Sequence, residues 1–142
     1  METKEKTYIT VHASINAPIE KVWEHWNTPE DIVHWNSASP EWHTPRATID
    51  LRPGGKFTYR MEAKDGSMGF DFWGTFDDVA VNKHIHMTLG DNRTVNIFFK
   101  TVGTHTEVIE TFEAESENSI EMQQQGWQAI LMNFKRFVEK KH

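Results

Sequence analysis

The sequence contains no cysteine, so disulfide bridges, thiolate nucleophiles and cysteine-ligated zinc are excluded. Positive charge is in short supply: 15 Lys and Arg stand against 21 Asp and Glu, for a net charge of −6. The basic residues form no block outside the short ends. This leaves no positive footprint for nucleic acid or for an anionic membrane surface. No apolar run approaches the length of a membrane span, and the opening METKEKTYIT has no signal-peptide core, so neither membrane insertion nor export is expected. The chain reads as a soluble, cytoplasmic protein. Recognisable catalytic motifs are missing too: there is no Ser–His–Asp pattern, His-Glu-x-x-His pair, phosphate loop or dinucleotide fingerprint. No metal and no cofactor are expected. His84 and His86 share a strand face, but it is the polar one and offers no third ligand, so they read as solvent-facing.

What the sequence does have is rings. Six Trp, nine Phe and two Tyr compensate for an apolar fraction of only 37%. The 142 residues suffice for one core, and no repeat or linker divides them, so residues 1–142 read as a single domain with 1–6 frayed. A core built from few large rings fills space quickly but tiles it poorly, and gaps are to be expected.

TYITVHASI alternates as a half-buried strand with Ile9, Val11, Ala13 and Ile15 inward. Two short helices follow, NAPIEKVWEHW with Asn16 as cap and TPEDIVHW with Thr28 as cap and Pro29 in the first turn. WNSASPEWHTPR, residues 35–46, reads as a loop carrying two Trp and a His. From ATIDL onward the pattern is strand and turn, with turns at RPGG, AKDGSMG, GDN and GTH. The tail from Ser119 is a long helix with a stripe of Ile120, Trp127, Leu131, Phe134 and Val138. The fold class is therefore α+β: a curved antiparallel sheet of about seven strands wrapped around a long C-terminal helix, with two short helices after the first strand. A twisted sheet cannot follow a straight helix along its whole length, so a gap is expected near one end.

Four stretches, INAPIEKVWEHW, WNSASPEWHTPRATIDLRPGGKF, MEAKDGSMGFDFWGTF and GWQAILMNFKRFVE, resemble the START-like (helix-grip) superfamily. Within it the chain is similar to homologues of the activator of heat-shock-protein ATPase. The resemblance implies a sheet gripping the last helix around an apolar cavity. Relatives bind lipids, sterols or flat aromatic compounds, and a few cyclise polyketides. The eukaryotic activator carries an N-terminal domain with no counterpart in this sequence, which weakens the case for a chaperone partner.

Candidate site residues follow from strand and helix parity. Phe57, Tyr59, Met61, Phe70, Phe72 and Phe76 share one face of neighbouring strands, suited either to simple core packing or to a cavity lined by rings and thioether. Gly74 omits a side chain in that face, as a sheet-bending bulge would. Trp35 either continues the apolar side of its helix or covers a ligand. Trp42 and His43, bracketed by Pro40 and Pro45, form either a core plug or the lid of a cavity. Glu110 lies between Val108 and Phe112; if inward, it must be paired, hydrogen-bonded or neutral, although Ile109 leaves the opposite parity open. Gln124 stands one turn before Trp127, where an apolar residue is expected, and Gly126 leaves room for either a close neighbour or a ligand. The leading expectation is a non-catalytic module binding a small apolar ligand, lipid-like or flat. The alternatives are a cyclase-like or hydratase-like enzyme with Glu110 and His43 as acid and base, and a co-chaperone-like protein-binding module.

Overall fold

The computed structural model describes residues 6–142, so the expected fraying of residues 1–5 lies outside the described residues. Lys6, the first described residue, places its Nζ 3.8 Å from Glu113 Oε1. The elements are β1 (Tyr8–Ile15), α1 (Ile19–Asn27), α2 (Pro29–Trp35), β2 (Trp42–Ile49), β3 (Lys56–Ala63), β4 (Gly69–Ala80), β5 (His84–Leu89), β6 (Thr94–Val102), β7 (His105–Glu113) and α3 (Ile120–Lys141).

All seven strands join one antiparallel sheet in the order β1-β7-β6-β5-β4-β3-β2. The first strand and the last strand are neighbours. Between them, α1 and α2 carry the chain from one edge to the other, and a meander of hairpins brings it back. Turn residues make this possible: Gly54, Gly66, Gly103, Asn82 and Asn92 all adopt positive φ between strands. The sheet curls around α3. Register shifts between His43 and Arg46 and between Phe76 and Asp78 bend it. The bulge expected at Gly74 therefore falls a little further along β4. Gly74 answers a different need: a Cβ there would lie 2.6 Å from the Thr88 carbonyl oxygen and 3.0 Å from the Phe57 ring.

Residues 35–46 are not one loop. Trp35 closes α2, and Trp42 opens β2. Pro45 is tolerated because β2 is an edge strand and the proline sits at its irregularity, where a missing N–H breaks no ladder. Thr44 fastens the segment, donating to the Asn36 carbonyl at 2.6 Å.

Helix starts differ in detail from expectation. α1 has Pro18, not Asn16, at its N-cap position; the Asn16 backbone N–H instead donates to Glu139 Oε2 of α3 at 2.9 Å. Thr28 does precede α2, but its hydroxyl turns back to the Glu24 carbonyl, 2.6 Å away. Ser119 caps α3, accepting from the Met122 N–H.

The core lies between the concave sheet face and α3. Toward the C-terminal half of α3, Trp26 and Trp35 meet Phe134 with ring centroids 4.9 Å and 4.8 Å away, and Phe99 meets Trp26 at 5.9 Å. Leu131, Phe134 and Val138 are fully buried there. Ile120, expected on the same stripe, is 46% exposed.

Candidate functional site

Toward its other end α3 stands off part of the sheet, and a cavity of about 450 Å³ remains beside it. β3 supplies Tyr59 and Met61 to the wall and β4 supplies Phe70, Phe72 and Phe76. Trp35 closes one side, and Trp127 and Gly126 of α3 form the roof. This follows from strand parity. Tyr59 pairs with Phe72 and Met61 with Phe70, so their side chains stand together on the concave face.

Trp127 is half-buried, not fully buried as its central place on the stripe suggested. It stacks flat on Phe112, centroids 3.8 Å apart and planes 9° from parallel, and meets Phe72 edge-on at 6.1 Å. One turn of the helix is thus braced against the sheet while the space beside it stays open. Gly126 marks that space, since a Cβ added there would meet nothing within 4 Å.

Glu110 takes the inward parity. It is 6% exposed, with Val108 and Phe112 buried on either side of it along β7. Its strand neighbours are Val11 on β1 and Ile97 on β6, both buried. Burial away from water pushes its carboxyl up to about 8 from an ordinary value of 4.5. The Tyr59 phenol is raised as well, by its own burial first and by the nearby Glu110 second.

Four expected site residues lie elsewhere. Phe57 is fully buried among Tyr59, Phe72 and Phe76 and does not reach the cavity. Trp42 stands outside the rim, its ring centroid 6.0 Å from that of Phe70, so it borders the mouth without covering it. His43 faces the opposite, convex side, because successive residues of a strand point to opposite faces. There it pairs opposite Glu62, with Nε2 3.9 Å from Oε1. Arg60 hydrogen-bonds the same Glu62 at 2.9 Å and holds its carboxyl below the ordinary range. Gln124 is exposed, and the inward residue of that turn is Gln123. Four residues before Trp127 is the same helix face, and this spacing singles out Gln123. Gln123 ties the β7–α3 connection, accepting from the Glu115 N–H and donating to the Glu115 and Asn118 carbonyls. Phe70, although it lines the cavity, is 48% exposed.

Several lining residues carry no signal in strand or helix periodicity. Asn36 lies just after α2, and Arg93 lies in the β5–β6 turn, held to Asp91 Oδ2 at 2.7 Å. Only the topology brings such connections to the open end. Among the described residues no group of three His, Asp or Glu side chains gathers as metal ligands, and no helix is long and apolar enough to cross a membrane. His84 bonds Asn96 Oδ1 at 2.8 Å, and His86 pairs with Asp77 at 3.0 Å.

Comparison with known proteins gives a consistent family signal. The profile described as "Activator of Hsp90 ATPase homolog 1-like protein" matches residues 16–139. The solution structure of an AHSA1-like protein from Aeromonas hydrophila is 45% identical, with a TM-score of 0.89 over 95% of this chain and 94% of that one. The solution structure of a protein from Cytophaga hutchinsonii is 51% identical, with a TM-score of 0.82 over 94% of this chain and 92% of its own. The crystal structure of a protein from Nitrosomonas europaea, 18% identical with a TM-score of 0.80 over 94% of this chain and 95% of that one, shares the fold. No curated protein matches the chain.

Proposed function

Since the chain belongs to the Activator of Hsp90 ATPase homolog 1-like family, with its sheet wrapped round a long helix, we propose that it binds a small, largely apolar ligand in the cavity between sheet and α3. A lipid-like chain or a flat aromatic compound suits the walls. The observation that carries this reading is the open space beneath Gly126, roofed by Trp127 and walled by Tyr59, Met61 and Phe72. A helix gains about 1 kcal/mol from Ala in place of Gly at an interior position, so this gap lowers the stability of the empty protein. Concave, ring-lined spaces with few polar groups are the usual form of small-molecule sites.

The binding is read as non-catalytic. An acid–base mechanism built on Glu110 and His43 finds no support, because the two side chains occupy opposite faces of the sheet.

The test uses the neutral fluorophore N-phenyl-1-naphthylamine. Saturable fluorescence enhancement and a raised melting temperature are expected with the wild type. Gly126→Phe, which places a ring in the cavity, should remain folded by circular dichroism and lose both responses. A wild type with no saturable response, or a Gly126→Phe variant that binds equally well, would remove the basis for the reading.

A further inference from the structure

Glu110 is an unusual group to find in a site for purely apolar ligands. It is almost wholly buried and lines the cavity, and among the described residues no hydrogen bond or ion pair reaches its carboxyl. Val11 and Ile97 beside it on the sheet cannot ionise, nor can Ile85 of β5 or Trp127 and Ile130 of α3. β4, α1 and α2 contribute only rings and amides to the lining. The titratable neighbour inside the cavity is the Tyr59 phenol. Arg93 and Glu115 stand at the open end, where the β5–β6 turn and the β7–α3 connection come together, and Arg93 is already paired with Asp91.

A carboxyl withdrawn from water needs a partner or must stay neutral. Among the described residues no cation pairs with it, so it stays neutral in the empty protein, and a cationic partner would have to reach it through the cavity. A ligand carboxylate would have to share the Glu110 proton and would leave a buried negative charge with no cation paired to it. A ligand ammonium would meet its complement, and the surrounding ring faces attract a cation as well. We propose that Glu110 anchors the ammonium group of an aromatic amine, making the cavity a site for aromatic organic cations rather than for fatty acids. The proposal rests on the binding reading above and names its ligand class.

The proton balance gives this a signature. With the cavity empty, Glu110 holds its proton up to about pH 8. Binding of the ammonium form leaves a carboxylate–ammonium pair and releases one proton to solvent. Amine affinity therefore rises with pH up to that value, then levels until the amine loses its own proton.

The experiment titrates the full chain calorimetrically with three probes sharing one ring system: naphthalen-2-ylmethylamine, naphthalen-2-ylmethanol and 2-naphthoate. At pH 8 the amine should bind at least about tenfold more tightly than the alcohol, and the carboxylate most weakly. Amine affinity should rise about fiftyfold from pH 6 to pH 8. Glu110→Gln should erase both the amine's advantage and its pH dependence. If that variant does not fold, the wild-type pH profile decides alone. An alcohol that binds as tightly as the amine, a flat amine profile or a preference for 2-naphthoate would overturn the anchor while leaving the binding reading intact. Failure of all three probes to bind would overturn both.

Discussion

The two halves of α3 rest on the same sheet and do different things. Toward the C-terminus, Leu131, Phe134 and Val138 are sealed against strand residues and against Trp26 and Trp35 of the short helices. Toward the N-terminus, Gly126, Trp127 and Ile130 are only partly covered and look into a cavity. The short helices account for the difference. They lie across the first end and fill the space left by the curving sheet with two large rings, which also border the cavity, whereas the cavity's open end is bordered by the β5–β6 turn and the β7–α3 connection. Packing is thus concentrated where the chain crosses over, and the remaining mismatch between straight helix and curved sheet is left as open volume.

Truncation at the packed end should have the largest effect. Phe134→Ala should cost about 3–5 kcal/mol in urea unfolding, as large-to-small changes in a sealed core do. Trp127→Ala, at the hollow end, should cost less, about 1–3 kcal/mol, mainly through the lost stack on Phe112. Equal costs at the two positions would break the contrast.

Next in size comes the buried carboxyl. Glu110 has a folded pKa raised from 4.5 to about 8, so its contribution is intact below pH 4.5 and is lost as pH rises through 8. From pH 5 to pH 8 the wild type should lose about 3 kcal/mol relative to Glu110→Gln, which lacks the titrating group. Subtracting the two stability curves isolates this residue from the His side chains that titrate in the same range. Parallel curves would mean that Glu110 reaches water.

Smaller effects sharpen the picture. Gly126→Ala should stabilise by about 1 kcal/mol, because the added methyl meets open space and the helix loses its glycine penalty. His43→Ala should change stability by less than about 0.5 kcal/mol, as its ion pair with Glu62 is long and partly solvated. It should leave binding of N-phenyl-1-naphthylamine untouched.

The packed half was legible in the sequence and the hollow half only partly so. Alternation in β1 and the spacing of Leu131, Phe134 and Val138 are direct records of burial, and the structure follows them. Tyr59, Met61, Phe72 and Phe76 were visible as one face for the same reason. The failures come where periodicity carries no information. Pro40 and Pro45 disguised the start of β2, since a proline at an edge-strand irregularity looks like a proline in a loop. Reading Trp42 and His43 as one lid ignored that a strand sends neighbours to opposite faces. Gln124 was preferred over Gln123 because a stripe extrapolated toward a helix end can be out by one residue. Which connections converge at the mouth is a property of topology alone.

The central claim is that the open volume lies at one end of α3 and is where a ligand enters. Amide chemical-shift mapping by nuclear magnetic resonance, with N-phenyl-1-naphthylamine titrated into the wild-type chain, tests it most directly. Saturable shifts should centre on Phe72, Glu110, Gly126 and Trp127, with Leu131, Phe134, Val138 and His43 nearly unmoved. Shifts centred on Phe134 or on the convex face around His43 would contradict the account.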